Sequence, residues 1–209
     1  MSARERILGA VRRHLGRSQG GAVPPPPPVP QFGKNEPDAA ARVQQFTARL
    51  QLVGGHVHDG AADGGLDAVR ELLAQYAPAV LARSDAPLVA ALVAQLPAYS
   101  WLPLAPSKAQ LFGSDLGVTA AQWAIAETGT LVLDMARERH RLASLLPPVH
   151  IALLPKARIL ANLGEALQAL PNPLPPTITL VTGPSRTADI ELQLVVGVHG
   201  PRELHVVLV

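Results

Sequence analysis

With 209 residues, 48% of them apolar, the chain has enough material for one well-buried core of ordinary domain size and too little for two full domains. It contains no cysteine, which excludes a disulfide framework and any thiolate-ligated zinc site or iron–sulfur cluster built by this chain alone. The formal net charge is +2 and 3% of residues are aromatic, so the basic, ring-bearing face that nucleic-acid binding needs is missing and no nucleic-acid partner is expected.

In chain order, Ala3 to Leu15 predicts a helix with Ile7, Leu8, Val11 and Leu15 on one face and arginines on the other, suited to docking. Gly16 to Asn35, with Gly20, Gly21 and the run Pro24 to Pro28, predicts an extended polyproline linker; a ligand for an aromatic groove is the alternative. Residues 1–35 therefore read as an amphipathic helix and proline-rich linker, and residues 36–209 as an α/β domain. The Arg-rich start lacks the apolar core of a secretory signal, which together with the absence of cysteine fits a cytoplasmic location.

Helices are expected over Pro37 to Leu52 and Leu66 to Gln75, a strand over Ala79 to Ala82, a helix over Asp85 to Gln95 capped by Ser84, and a strand over Ala98 to Leu102. Ala86 to Ser107 carries no charge, but Pro87, Pro97, Pro103 and Pro106 divide it into pieces too short to span a bilayer, so no membrane span is expected. Gln122 to Ala126 and Thr130 to Asp134 predict a hairpin around Gly129. Val149 to Leu154, Thr177 to Val181 and Leu204 to Leu208 read as strands covered on both faces, with a helix over Lys156 to Leu170. Strands alternating with helices imply a Rossmann-like, mostly parallel sheet with helices on both faces, plus the hairpin and the N-terminal helical arm. No dinucleotide fingerprint or Walker loop occurs, because Gly54-Gly55 and Gly64-Gly65 lack the spacing.

Three constellations could carry chemistry. Glu127, before Thr128-Gly129-Thr130, places a carboxylate at a strand end, as a general base, a nucleophile or an acceptor for a ligand hydroxyl; accepting turn N–H groups is the structural alternative. Arg137, Arg139 and Arg141 follow the hairpin; Arg141, closest to the apolar run, is the best candidate for binding a carboxylate or phosphate, with a solvated loop as the alternative. In Thr182 to Glu191, Gly183 and Pro184 turn the chain and Ser185 can cap a helix whose N–H groups, with Arg186 and Thr187, would form an anion site beside the acceptor Asp189, a candidate catalytic base or nucleophile; ordinary helix capping is the alternative for Ser185. His199 and Gly200 precede the last strand and could line the same ligand or form a plain loop. His150 reads as a satisfied core histidine. His56 and His58 have metal-ligand spacing but no local companion cluster, so no metal site is expected and surface histidines are the plainer reading.

The stretches AIAETGTLVLD, RLASLLPPVHIALLP, TGPSRTADIELQLVVGVHGP and ELHVVLV resemble the lactate-utilisation protein C family, whose members consist of a LUD domain. That resemblance implies a fold akin to the sugar-phosphate isomerase and CoA-transferase superfamily. It also implies a role in oxidising L-lactate to pyruvate alongside partner subunits that carry iron–sulfur clusters, with this cysteine-free chain holding no cofactor of its own. Two other functions stay open: a stand-alone enzyme acting on a phosphosugar or acyl-CoA, and a ligand-free scaffold.

Overall fold

The computed structural model describes residues 2–16, 37–138, 141–190, 193–197 and 200–209. It divides into two compact units, Met1–Phe32 and Gly33–Val209. In the first, helix α1 (Ala3–His14) opens with a capping box: Ser2 accepts from the Glu5 N–H and the Glu5 carboxylate accepts from the Ser2 N–H. Arg12, Arg13 and His14 occupy its last turn, where the helix dipole favours cations. No α1 side chain is buried.

The second unit begins with α2 (Ala39–Leu52), capped by Asp38 on the Ala41 N–H at 2.7 Å. There follow β1 (His56–Asp59), α3 (Leu66–Tyr76), β2 (Leu81–Arg83), α4 (Pro87–Ala94), α5 (Lys108–Phe112), β3 (Leu116–Ala120), β4 (Trp123–Ile125) and β5 (Thr130–Asp134). After a 3-10 turn, Arg141–Ser144, come β6 (Val149–Leu154), β7 (Ile159–Leu160), α6 (Leu163–Gln168), β8 (Ile178–Val181), β9 (Arg186–Ile190), β10 (Gln193–Val196) and β11 (Glu203–Leu208). Among the described residues no helix is long and apolar enough to cross a membrane.

The central sheet has five parallel strands in the order β1-β11-β6-β3-β2. The chain crosses from one edge to the other through α3, then winds back strand by strand until β11 lies beside β1. Period-2 alternation sorts its side chains. On one face Leu116, Val118, Ile151, Leu153 and Val207 pack against Val69, Leu72 and Leu73 of α3 and Val89 and Leu92 of α4. On the other, Ala152, Leu154, Leu204 and Val206 meet Phe46 and Leu50 of α2 and Ala124 and Leu131 of a second sheet.

That second sheet, β7-β4-β5-β8, is built on the expected hairpin, with Gly129 at φ +67° in its turn. The sequence reading differs from the structure in several places. Lys156 to Leu170 is not one helix: Asn162 caps α6 through the Glu165 N–H at 3.0 Å, and Ile159 and Leu160 are drawn into a parallel pairing with β4. Ala98 to Leu102 shrinks to a single bridge between Trp101 and Leu81. Ser84 does not cap α4, whose N-cap is Ala86 with Pro87 in the first turn. The Thr177 to Val181 strand is not covered on both faces: β8 pairs only with β5 among the described residues, and Leu180 is 52% exposed.

The strand that the periodicity hides is β3. Gly117 interrupts its apolar run, yet all five residues are buried. A Cβ at Gly117 would lie 1.9 Å from the Ala143 carbonyl oxygen, so the missing side chain lets the 3-10 turn lie directly on the sheet. Gly117→Ala is expected to destabilise the protein by ~2–3 kcal/mol, the upper range for overpacking, because the obstacle is backbone. Urea unfolding checks this; a midpoint equal to wild type would contradict the packing.

Candidate functional site

Two groups of polar residues gather at the amino ends of β1 and β11, on opposite faces of the central sheet. The first is built from the turns that the sequence singled out. Antiparallel pairing of β5 with β8 places Thr130 beside Thr182, and a hydroxyl chain runs from Thr128 to Thr130 (2.6 Å) and on to Thr182 (2.7 Å). Both turns seat on the C-terminal end of α2: a Cβ at Gly129 would lie 2.4 Å from the Leu50 nitrogen, and one at Gly183 would lie 2.9 Å from Val53. Arg186 donates to the Val53 carbonyl at 2.6 Å, a cation placed at the negative end of α2. Ser185 is held by its backbone, its N–H donating to the Pro201 carbonyl and its own carbonyl accepting from the Gly197 N–H, both at 2.8 Å. Gly200 packs against the Ser185 side chain. The exposed side chain of Glu127 stands in the same turn as Thr128 and Gly129.

Other expectations meet a different outcome. Ser185 caps no helix: the chain enters β9, which pairs antiparallel with β10, as suits Thr187, Ile190, Val195 and Val196. The cradle of free helix N–H groups expected there does not form. Thr187 and Asp189 lie in β9, described by backbone alone, and His199 lies outside the described residues. Arg141 is exposed at the start of the 3-10 turn, and its carbonyl accepts from the Ser144 hydroxyl at 2.8 Å; no described contact joins it to the rim.

The second group is one that sequence reasoning missed. In the parallel pairing of β1 with β11, His56 is the register partner of His205, and their rings stack at 4.8 Å. His58 Nε2 lies 3.0 Å from His205 Nδ1, and His205 Nε2 lies 2.8 Å from the Tyr76 hydroxyl, at the C-terminal end of α3. That hydroxyl donates to the Glu203 carboxylate. His58 is therefore tied to a partner 147 positions away, while His56 is exposed, as expected of a surface histidine, and stacks on the same ring. The local signal was present as His-Val-His and Leu-His-Val in two strand-like runs; their adjacency was not. Among the described residues no group of three or more His, Asp or Glu side chains is arranged to hold a metal ion.

His205 is 4% exposed; burial first, then the neighbouring His56 and His58, push its pKa down to about 4. His58 is lowered by burial and then by His56, opposed by Glu71. Burial, followed by its bond to Glu203, raises the Tyr76 phenol. On the opposite face, fully buried His150 is also lowered to about 4 by burial. It is only half satisfied: Nε2 meets the Thr119 hydroxyl at 2.8 Å, and Nδ1 has no partner.

The carboxyl ends of the strands, where open α/β sheets usually bind ligands, are acidic here. An open hollow of about 600 Å³ after β1 is lined by Asp59, Asp63 and Asp67, and Asp59 pairs with Lys156 at 2.9 Å. Glu138, 1% exposed, accepts from the Gln122 amide at 2.7 Å and the Ala120 N–H at 3.2 Å; burial raises its pKa. Asp67 in turn pairs with Arg70 at 3.3 Å.

A parallel sheet sandwiched between a helical layer and a mixed helix-and-sheet layer defines the class, and comparison with known proteins defines the family. Residues 106–209 match the LUD domain. The chain is 42% identical over 94 residues to Lactate utilization protein C of Bacillus licheniformis, covering 42% of this chain and 39% of that protein. It is 29% identical over 223 residues to Lactate utilization protein C of an Exiguobacterium species, covering 99% and 95%. Matches to the first curated relatives thus span about two fifths of those relatives' length, 40% and 39%. The crystal structure of a DUF162 family protein from Deinococcus radiodurans superposes with a TM-score of 0.58 at 26% identity, covering 82% of this chain and 98% of that one. Residues 106–209, about half of this chain, are a LUD domain.

The buried histidines make stability depend on pH. An unfolded histidine binds its proton near pH 6.5, whereas folded His150 and His205 do so only near 4. The unfolded state therefore holds more protons between these values, and stability falls as pH drops through that window, by about 1.4 kcal/mol per unit for each ring. Denaturant midpoints measured from pH 7 to 5 should decline, and His150→Leu should roughly halve the slope. A flat wild-type profile would contradict the burial of both rings.

Proposed function

We propose that this protein serves in lactate utilisation in the cytoplasm, as a subunit of an L-lactate-oxidising system that binds a small carboxylate anion and docks on iron–sulfur partner subunits. The observation that carries the reading is the full-length match to a relative named Lactate utilization protein C, joined by the higher-identity matches over the LUD domain. The residues of this chain do not fit an iron–sulfur cluster, because it has no cysteine. We therefore assign such clusters to the partners, and with them the electron transfer.

For the anion we favour the rim formed by the Glu127 and Ser185 turns. A guanidinium carries five N–H donors, and Val53 takes one from Arg186, which is exposed. The hydroxyls of Thr128 and Thr182 supply donors and acceptors beside it. A lactate-sized molecule offers a carboxylate for the first and a hydroxyl for the second. The phosphosugar or acyl-CoA reading drew on a helix N-terminus at Ser185, where the chain forms β9 instead.

Deleting the gene should abolish growth on L-lactate while sparing growth on pyruvate, with recovery on complementation. L-lactate titrated into the purified protein should bind, and Arg186→Gln should weaken binding about tenfold, the equivalent of one charge-assisted hydrogen bond. A deletion strain that consumes L-lactate at the wild-type rate would overturn the assignment.

A further inference from the structure

We propose that His58, His205, Tyr76 and Glu203 form a directional proton relay that carries a proton from Nδ1 of His58, its outer end, to the Glu203 carboxylate.

The direction follows from counting protons. The Tyr76 hydroxyl has one hydrogen and donates it to Glu203, so toward His205 it can only accept. His205 must then carry its hydrogen on Nε2, which leaves its Nδ1 as the acceptor facing His58. His58 in turn carries its hydrogen on Nε2, and its Nδ1 keeps a lone pair that meets no partner among the described residues. A single carboxylate thus fixes two imidazole tautomers through a phenol, much as a third group orients the base in a catalytic triad.

Such a chain can move a proton as well as orient one. A proton arriving at His58 Nδ1 forms an N–H bond there while Nε2–H passes to His205 Nδ1. His205 Nε2–H passes to the Tyr76 oxygen, and the Tyr76 hydrogen goes to Glu203. The rings and the phenol end neutral, the rings in the opposite tautomer, and the proton rests on a carboxyl group whose side chain is 44% exposed and able to release it to water.

Burial, the stacked His56 of β1 and the neighbouring His58 favour the neutral form of His205, against Glu203 at 3.7 Å from its Nε2; burial and His56 do the same for His58, against Glu71 of α3. A purely structural role explains this poorly: the cluster interrupts a face otherwise packed with Val, Leu and Ile, where apolar residues of similar volume would serve stability as well.

Nitrogen-15 NMR of the ring nitrogens in the full-length protein at pH 7 tests the proposal. His58 and His205 should each appear as a single Nε2–H tautomer. Tyr76→Phe should release the lock and give mixed tautomers at both rings, and Glu203→Leu, which removes the acceptor of the Tyr76 hydrogen, should do the same at Tyr76-linked His205 should Tyr76→Phe fold poorly. A wild-type His58 protonated on Nδ1, or tautomers unchanged in both variants, would overturn the relay.

Discussion

The structure depends on covering both faces of the strands at the middle of the parallel sheet. Every residue of β6 is buried, and β11 is buried from Leu204 to Leu208. A polar side chain on such a strand cannot reach solvent, so its partners must come from neighbouring strands or the layer above. His150 finds Thr119 one strand away, and His205 finds His58 on β1 and Tyr76 on α3. Because charging a buried ring is expensive, the same coverage holds both imidazoles neutral.

This constraint also distributes the chemistry. The carboxyl ends of the strands collect Asp59, Asp63, Asp67 and the buried Glu138, whereas Arg186, the threonine hydroxyls and the histidine relay lie at the amino ends. The geometry that brings Arg186 there is the end of α2: its last carbonyls need donors, and the Gly129 and Gly183 turns lie close against it. One helix terminus therefore joins two sequence motifs that are more than fifty residues apart. The edge position of β1 leaves His56 and His58 at the boundary between core and solvent, where a neutral ring can face both.

Much of this was legible in the sequence, and the failures have physical causes. Continuous aliphatic runs gave β6 and β11 correctly, and Gly129 marked the hairpin, because each signal is local. β3 escaped because Gly117 reads as a strand breaker until the Ala143 carbonyl is seen lying on it. The helix expected after Ser185 became a strand because β10, a few residues later, offered a pairing partner that outweighs a possible cap. The turns around Glu127 and Ser185 stood out by their local chemistry. The histidine group could not be, since a parallel sheet closes it between the first and last strands and nothing local reports that adjacency.

The central claim is that ligand chemistry belongs to the amino-end rim. It is tested most directly by titrating L-lactate into isotopically labelled protein and mapping backbone amide shifts. The account predicts that they cluster at residues 54–58, 127–130, 182–186 and 200–205. Shifts centred on residues 59–67 and 120–122 at the opposite rim, or none at saturating L-lactate, would contradict it.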